Sequence, residues 1–579
     1  MHYRFVLFAG FLMLLGCAKR QKKDMLLVEN SDLKVAQVSP VAALKKHSAD
    51  TFKVNLESDA FVFGYADQRS VDVVVEIYGP DHKKLGGFDG PARGHEDYQF
   101  VTTASGVHRI VIAPFKDNTG DYTLVISKAE ALAKDPAGRA EQLIAASLGT
   151  RAETPGVTVA VQKDGKIIYS KGFGYANLED DVKNTPKTIF HIASVSKQFT
   201  AFAIALLADQ GKLSLTDDIH KYLPELQDFG SVITINHLVH HTSGLRDQWS
   251  LLMMAGWRLD DVITQKQILR VISRQKELNF KPGEEMLYCN TGFTLLAEIV
   301  SRVTGESFAD WTKRNMFDPL EMKNTFFYDD HEKIVKNRAY SYYEVPGGYK
   351  KSVLNYANAG ATSLFTTVED LSLWAINFEK MKVGNQRVME MMNQRFVLNK
   401  GDTITYAFGQ EIEKYKGLNA FSHGGGDAGY RTYLLRFPDQ HFSVSVLSNL
   451  ASFNPGSLSY ALADLYLAKD LVPETEKPAP PAEPDSKKVP FDPSSVKLSE
   501  FTGTFYSPEL MTSYTLTVAN DTLIARHQRH DDLKLRPVKN DGFTTPMLGD
   551  LDFTRNKTHQ IVGLKASNGR VRNLVFNKE

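Results

Sequence analysis

Cysteine, tryptophan and net charge are all scarce in this sequence. Its 579 residues include two cysteines and four tryptophans, and 68 lysines and arginines balance 68 aspartates and glutamates. A chain without net charge provides no overall field for nucleic acid, so we expect no nucleic-acid partner. The absence of a C-x-x-C pair excludes a zinc ribbon and a thioredoxin-like redox site. No segment has 18 consecutive apolar residues, which excludes a polytopic membrane protein.

The first residues have the pattern of an export signal. Twelve apolar or small residues, at positions 5–16, follow Arg4. This run is shorter than the ~20 residues that span a bilayer, and its length and basic flank are typical of a secretory signal peptide. The letters LLGC at residues 14–17 resemble the lipobox of bacterial lipoproteins, which implies cleavage before Cys17 and lipidation of its thiol. An ordinary signal peptide followed by a chance cysteine is the alternative.

We therefore expect residues 1–16 to be a signal peptide and Cys17 to carry a lipid anchor. The mature protein would lie in the cell envelope, on the periplasmic side of the outer membrane, with the lipid as its only membrane contact. With Cys17 lipidated, Cys289 has no partner for an intrachain disulfide. The sequence predicts no particular oligomeric state.

The remaining sequence divides by composition into five parts. Residues 17–47 are polar and carry lysines, which indicates a tether. Residues 48–130 contain short β-branched runs separated by Gly, Pro, Asp and Asn, a pattern typical of a β-sandwich. Residues 135–470 mix helical and strand patterns. Residues 471–493 form a linker, because seven of the 23 prolines fall within 21 residues, and residues 494–579 predict a small antiparallel β-barrel.

Two details concern the flanking β-domains. Asn520-Asp521 in the C-terminal part predicts a hairpin turn. The N-terminal sandwich is either a carbohydrate- or partner-binding module or a spacer. The lack of site chemistry in its sequence favours the spacer.

Ser194 and Lys197 open a strongly apolar helix pattern that ends near Gly211. The i, i+3 spacing places Lys197 on the same helix face as Ser194, one turn on. Backbone N–H groups at a helix N-terminus stabilise an oxyanion, and a buried amine with a lowered pKa takes a hydroxyl proton. Ser-x-x-Lys occurs four times in the chain, and an N-cap role for Ser194 is the alternative.

The second candidate pair is Tyr288 and Asn290, which flank Cys289. The pair follows a turn signal at residues 280–283 and precedes an amphipathic helix pattern. A phenol near a lysine ammonium ionises more readily and acts as a base, while an asparagine amide donates to a substrate carbonyl and holds the lysine. Tyr-x-Asn occurs elsewhere in the chain, so a buried structural tyrosine is the alternative.

The third candidate is His423, in the His-x-Gly sequence that ends at Gly425. A strand-like pattern follows, and glycines beside a strand let a second backbone, such as a substrate peptide, approach closely. Residues 424–429 also match G-x-G-x-x-G. We reject a dinucleotide site, because these glycines precede a strand instead of opening a helix.

The order Ser-x-x-Lys, Tyr-x-Asn, His-x-Gly resembles the class C β-lactamase and D-alanyl-D-alanine carboxypeptidase family of serine hydrolases. Esterases and D-amino-acid peptidases share its fold. Sequence blocks in family order extend the likeness over roughly residues 140–468. The resemblance implies an α+β fold, in which an antiparallel sheet flanked by helices and an all-helical subdomain enclose the active site. The flanking domains add an N-terminal β-sandwich and a C-terminal β-barrel.

The resemblance also implies catalytic roles for three residues. Ser194 would attack an acyl carbon. Lys197 and Tyr288 would share the base role, and which of them takes the proton stays open.

Further residues would bind or orient the substrate. Asn290 would orient both the lysine and the substrate, and His423 would lie on the edge strand beside the acyl group. The oxyanion hole would be formed by the N–H groups of Ser194 and of Gly426, which follows Gly425 of the His-x-Gly motif.

His423 departs from one branch of the family, since many β-lactamases carry lysine at this position. Histidine is charged only below about pH 6.5 unless its pKa is shifted. We therefore expect less efficient β-lactamase activity. We also expect hydrolysis of carboxylate-bearing substrates to improve when His423 is charged.

No metal or cofactor is implied by these motifs. His237, His240 and His241 form an H-L-V-H-H sequence, but no Glu follows the first histidine in the H-E-x-x-H manner. A structural role is therefore favoured over zinc. The chain also lacks the G-x-S-x-G elbow of α/β-hydrolases.

The sequence predicts an exported serine hydrolase that cleaves an amide or ester through an acyl-enzyme on Ser194. Candidate substrates are D-amino-acid peptides, peptidoglycan fragments, small esters and β-lactams. The main alternative is a catalytically weak, penicillin-binding-like protein that binds envelope components. A sensor that is acylated once is another. The complete motif set favours the enzyme.

Overall fold

The structure, a computed structural model, describes residues 26–90, 92–149, 151, 153–472 and 491–579. The predicted signal peptide, Cys17 and most of the predicted proline-rich linker lie outside the described residues. The lipid anchor stays a prediction, and fatty-acid incorporation in cells, compared with a Cys17→Ser variant, would test it.

No helix in the described ranges has the length and apolar character needed to cross a bilayer. The chain divides into two units, Met1–Ala152 and Glu153–Glu579.

The first unit contains a sandwich of two β-sheets. Its strands are β1 (Leu26–Asp32), β2 (Ala42–Leu44), β3 (Ser48–Leu56), β4 (Ala60–Gln68), β5 (Val73–Tyr78), β6 (Lys84–Phe88), β7 (Gly94–Val101), β8 (Gly106–Pro114) and β9 (Gly120–Ala131). The sheets have the orders β1-β3-β8-β5-β6 and β2-β9-β4-β7. Alternate residues of β5 (Val73, Val75 and Ile77) are fully buried, as the period of two in a half-buried strand requires. Helix α1 (Pro136–Leu148) follows.

The described part of residues 17–47 is not the tether that its composition predicts. Strand β1 pairs in parallel with β3, and β2 pairs with β9. Leu33 and Leu44 are buried in the sandwich core. Burial of these apolar side chains stabilises the ordered segment despite its lysines and polar composition.

The second unit begins with the larger α+β domain. Its strands are β10 (Val157–Lys163), β11 (Lys166–Phe173), β12 (Tyr175–Asn177), β13 (Val182–Lys183), β14 (Phe190–His191), β15 (Phe326–Phe327), β16 (Ser341–Val345), β17 (Gly348–Ser352), β18 (Leu364–Thr366), β19 (Glu411–Tyr415), β20 (Leu418–Asp427), β21 (Tyr430–Phe437) and β22 (Phe442–Ser448). The main sheet is antiparallel, with the order β11-β10-β22-β21-β20-β19.

The short strands β12–β18 pair in three smaller sheets. Helices flank the main sheet. They are α2 (Ser196–Asp209), α3 (Ile235–Val239), α4 (Gln248–Met254), α5 (Gln265–Ile272), α6 (Asn290–Thr304), α7 (Phe308–Thr312), α8 (Val368–Lys380), α9 (Gln386–Met392) and α10 (Pro455–Tyr466). Helices α8 and α10 pack on the sheet. The α+β fold predicted from the motifs is confirmed.

Helix α2 lies at the centre of this domain. Every residue from Ser196 to Leu207 is buried, as expected for a helix that is apolar on all sides. Phe199 stacks on Trp374 with ring centroids 4.1 Å apart. The helix therefore provides a rigid support for the lysine in its first turn.

The C-terminal residues form a closed antiparallel barrel. Its strands are β23 (Gly503–Ser507), β24 (Thr512–Ala519), β25 (Thr522–His527), β26 (His530–Lys539), β27 (Gly542–Thr545), β28 (Gly549–Arg555), β29 (Ile561–Asn568) and β30 (Val571–Lys578). The predicted turn at Asn520-Asp521 is confirmed, since both residues have positive φ (48° and 52°) between β24 and β25. The small barrel predicted from the strand pattern is also confirmed.

The barrel and the α+β domain share a hydrophobic core. Leu251 and Met254 of α4 are buried among the side chains of the barrel interior. The hydroxyl of Tyr514 donates to the carbonyl of Met254 at 3.0 Å. Beside α4, the buried guanidinium of Arg246 donates to the carboxylate of Glu509 on the barrel at 2.7 Å. Segment 246–254 is therefore held by both domains.

Replacing Glu509 by alanine should destabilise this junction strongly. The Glu509→Ala variant leaves the Arg246 charge buried without its carboxylate, a change that costs about 3–5 kcal/mol. Equilibrium urea unfolding measures the loss. The control is Asp552→Ala, which removes an exposed pair with Lys539 and should cost under about 1 kcal/mol. Equal losses in the two variants would contradict this assignment.

Candidate active site

Ser194 lies in a strained turn immediately before α2. The turn is a 3₁₀ helix, Ala193–Val195, and Ala193 has φ of +48°, a left-handed conformation that is unfavourable for a residue with a Cβ. The N–H of Ala193 donates to Nδ1 of the fully buried His191 at 3.2 Å. The surrounding fold thus holds the serine in one position.

Lys197 is fully buried next to Ser194. Its Nζ lies 3.0 Å from Ser194 Oγ and donates to Asn290 Oδ1 at 2.8 Å and to the carbonyl of Ala361 at 2.7 Å. Burial lowers the pKa of Lys197 to about 7, although the Asp247 carboxylate opposes this shift. A substantial fraction of the amine is therefore neutral near pH 7.

The hydrogen bonds of Lys197 direct its lone pair. A neutral amine has two N–H groups, and the oxygens of Asn290 and Ala361 only accept hydrogen bonds. When both N–H groups are engaged by these acceptors, the lone pair faces the third contact, Ser194 Oγ. This is the arrangement that a base needs to take the serine proton.

Asp247 determines which way the Asn290 amide points. One carboxylate oxygen of Asp247 accepts from both the backbone N–H and the side-chain Nδ2 of Asn290, each at 2.7 Å. Because Nδ2 faces this carboxylate, Oδ1 must face Lys197. The other carboxylate oxygen caps helix α4 by accepting from the N–H of Trp249 at 3.1 Å.

Tyr288 lies beside the buried amine of Lys197. Its ring centroid is 4.9 Å from Lys197 Nζ, and the neighbouring Ser194 side chain opposes part of the pKa shift that burial imposes on Tyr288. Burial raises the pKa of Tyr288 above its ordinary value of 10, so the phenol stays protonated near neutral pH. Of the two predicted bases, the geometry and charge state favour Lys197. The buried thiol of Cys289 donates to the carbonyl of Leu245 instead of facing the nucleophile.

His423 joins the same site as a neutral imidazole. It is buried, its Nδ1 lies 2.6 Å from the carbonyl oxygen of Gly424, and its Nε2 lies 3.1 Å from the Tyr406 hydroxyl. Burial, with a contribution from Lys197, lowers the pKa of His423 to about 3. The pKa of this residue is thus shifted from its ordinary value, and the expected gain in hydrolysis of carboxylate-bearing substrates when His423 is charged stays a prediction. Its ring centroid lies 6.2 Å from that of Tyr288.

Strand β20 is an edge strand only along the half that carries His423. The sheet ends with β19, but that strand pairs only as far as Ser422. Residues 423–427 pair with β21 alone. The predicted edge position is thus correct locally, although β20 as a whole is the second strand of the sheet.

Gly425 is required by the protein's own backbone. A Cβ at this position would lie 2.3 Å from the carbonyl oxygen of Ile192, just before the Ser194 turn. At Gly425 the close approach is therefore made by the protein's own backbone, whereas the sequence analysis predicted an approach by a substrate backbone. At Gly426 the nearest atoms to a Cβ belong to Arg431 at 3.7 Å, so a Cβ there would make ordinary van der Waals contact without a clash.

The three neighbouring histidines have separate structural contacts. His237 Nδ1 accepts from the N–H of Thr234 at 3.1 Å, which caps α3. His240 lies between the carbonyls of Asn236 and Gln394. His241 Nδ1 accepts from the N–H of Cys289 at 3.0 Å. Within the described ranges, no group of three or more His, Cys, Asp or Glu side chains is placed to hold a metal ion.

Sequence reasoning missed three residues at this site. Asp247 ends one of the blocks that resemble the family, and His191 lies in another, but neither block indicates a role for the residue. Arg570 comes from the barrel, and its guanidinium carbon lies 4.8 Å from the Tyr288 ring centroid. Arg570 follows an Asn-Gly turn in a separate domain, and nothing in that local sequence indicates that its side chain reaches the site.

Comparisons with known proteins confirm the family resemblance that the sequence motifs indicate. A family model described as Beta-lactamase matches residues 140–468. The chain is 28% identical over 303 residues to a D-aminopeptidase from Gluconobacter oxydans, covering 52% of this chain and 57% of that protein. It is also 28% identical over 439 residues to penicillin-binding protein 4* from Bacillus subtilis, covering 71% of this chain and 93% of that protein.

The solved structures with a similar fold include an octameric penicillin-binding protein homologue from Pyrococcus abyssi. The identity is 24%, the match covers 73% of this chain and 96% of that one, and the TM-score is 0.49. The chain spans less than two thirds of the length of the D-aminopeptidase, at 57%.

Replacing Asp247 by asparagine should impair the site and shift its pH response. The new amide no longer forces Asn290 Oδ1 toward Lys197, so we expect the rate of Ser194 labelling by a fluorophosphonate to fall roughly 10- to 100-fold. The Asp247 carboxylate raises the pKa of Lys197, so removing its charge should lower that pKa. The acid limb of the labelling profile should then move to lower pH. Mass spectrometry across a pH series measures both effects.

The matched control for this experiment is Asp260→Asn. Asp260 pairs with Arg258 on the surface, so its loss should leave the labelling profile unchanged. An Asp247→Asn variant labelled at the parent rate, with an unshifted acid limb, would contradict both roles and leave Asp247 as a helix cap.

Proposed function

Because this chain belongs to the Beta-lactamase family of serine hydrolases, we propose that it cleaves an amide or ester bond through an acyl intermediate on Ser194. The observation that carries this proposal is the 3.0 Å contact between Lys197 Nζ and Ser194 Oγ, with both remaining N–H directions of the amine occupied by acceptors. A serine with only a helix-capping role does not need a buried amine of lowered pKa beside it.

In the acylation step, Ser194 Oγ forms a bond to the acyl carbon while its proton passes to Lys197 Nζ. The tetrahedral oxyanion would be stabilised by the N–H groups of Ser194 and Gly426. Collapse of this intermediate breaks the bond to the leaving group, which takes a proton from the Lys197 and Tyr288 pair. Water then attacks the acyl carbon while its proton passes to Lys197 Nζ, and the bond to Ser194 Oγ breaks as Oγ takes a proton back from the lysine.

The proposed substrates are short peptides that contain D-amino acids, with peptidoglycan fragments, esters and β-lactams as further candidates. One similar protein is named a D-aminopeptidase and another a penicillin-binding protein, which supports this chemical class. Many β-lactamases carry a lysine at the position of His423. Because His423 is neutral, we expect this protein to hydrolyse β-lactams less efficiently.

A fluorophosphonate should label the protein once, on Ser194. Attack of the activated Oγ on phosphorus releases fluoride and leaves a stable adduct, which intact mass and peptide mapping detect. The Ser194→Ala variant should show no adduct. The Ser273→Ala variant, which alters another Ser-x-x-Lys sequence on an exposed helix end, should label like the parent. A well-folded parent that is not labelled would favour the binding-protein alternative.

The labelling rate should rise with pH through about 7. Only the neutral form of Lys197 accepts the serine proton, and its lowered pKa of about 7 makes that form dominant above this pH. In the Tyr288→Phe variant, the midpoint of the rise should stay near 7 if Lys197 is the base. A midpoint near 10, in either protein, would show that the titrating group is an ordinary amine or phenol.

A further inference from the structure

Arg570 brings a permanent cation from the barrel to the mouth of the active site. It follows Gly569 in the turn between β29 and β30, where Asn568 pairs with Val571. The side chain is exposed, and its guanidinium carbon lies 4.8 Å from the Tyr288 ring centroid. Lys197 Nζ lies 4.9 Å from the same ring centroid, so one tyrosine side chain contacts both the guanidinium and the buried amine beside Ser194.

The backbone of this turn is clamped to the α+β domain. The carbonyl of Arg570 accepts from the N–H of Asp247 at 3.2 Å and from Asn279 Nδ2 at 3.0 Å. The N–H of Arg572 donates to Asn279 Oδ1 at 2.8 Å, and its guanidinium donates to Glu285 at 2.9 Å. The position of the Arg570 backbone is therefore set by the same Asp247 that orients the catalytic asparagine.

The Arg570 guanidinium is not neutralised by the protein. Its neighbour Arg572 pairs with Glu285, and Arg529 of the same barrel pairs with Asp261. Across the described part of the chain, no carboxylate pairs with Arg570. When a guanidinium lies over an aromatic face, the N–H groups along the edge of the guanidinium stay available. Two of them can donate to the two oxygens of a planar carboxylate.

The other cationic candidates in the site are not available for this role. His423 is neutral near pH 7, and Lys197 is buried with its contacts already directed to Ser194, Asn290 and Ala361. An anionic group on a substrate near Tyr288 would therefore meet Arg570 as the cation that has no carboxylate partner among the described residues.

We propose that Arg570 is a specificity-determining residue that binds a carboxylate of the substrate, so that the C-terminal barrel completes the active site. This inference rests on the proposed hydrolysis at Ser194 and names the substrate class as carboxylate-bearing peptides. It assigns the barrel a part in substrate selection in addition to packing against α4.

Two matched peptides test this inference, N-acetyl-D-alanyl-D-alanine and its C-terminal amide. The parent should prefer the free carboxylate by roughly 10- to 100-fold in kcat/KM, the value of one charge-assisted contact. The Arg570→Gln variant should lower this preference to near 1, and Arg570→Lys should restore part of it. The control is Arg536→Gln, an exposed arginine of the same barrel, which should keep the parent preference.

Equilibrium binding separates this inference from the proposed hydrolysis. In a Ser194→Ala background, calorimetry should show tighter binding of the free carboxylate than of the amide, and Arg570→Gln should remove the difference. Preferential binding without turnover in the parent would overturn the proposed hydrolysis of these peptides and uphold the role of Arg570. Equal losses for both peptides, an unchanged preference, or no binding of either peptide would overturn that role.

Discussion

The site depends on a lysine that is buried without a carboxylate of its own. Removing Lys197 from water disfavours its charged form, and the acceptors around it satisfy two N–H groups of a neutral amine. The remaining direction points to Ser194. Several other features support this arrangement: the fully buried helix α2, the Ala361 carbonyl and the Asn290 amide. The surrounding residues thus set both the charge state and the direction of a single desolvated amine.

Asp247 connects this site to the C-terminal barrel. Its carboxylate orients Asn290 and caps α4, while the next turn of α4 buries Leu251 and Met254 in the barrel core. Its backbone N–H also contacts the carbonyl of Arg570. Catalytic orientation and domain docking therefore use one short segment. The barrel is thus attached to the same short segment that carries Asp247.

Local sequence signals predicted the elements but not their long-range partners. The Ser194 and Lys197 spacing follows from one helical turn, and the Asn520-Asp521 turn follows from two residues that tolerate positive φ. Asp247 lies 43 positions from Asn290, and Ala361 lies 164 positions from Lys197. No periodicity links positions so far apart. The tether expected over residues 17–47 failed for a related reason, since the burial of Leu33 and Leu44 depends on partners outside that segment.

By itself, the amino-acid sequence determined which chemical groups are present and the local geometry around them: the nucleophile one turn before a lysine, the Tyr-x-Asn pair, the glycines beside His423 and the strand-rich flanks. The tertiary structure alone decided their charge states and neighbours. Desolvation lowers the pKa values of Lys197 and His423, and that effect depends on everything packed around each group. The arrival of Arg570 beside Tyr288 likewise follows from the docking of two domains, because only folding brings such distant residues together.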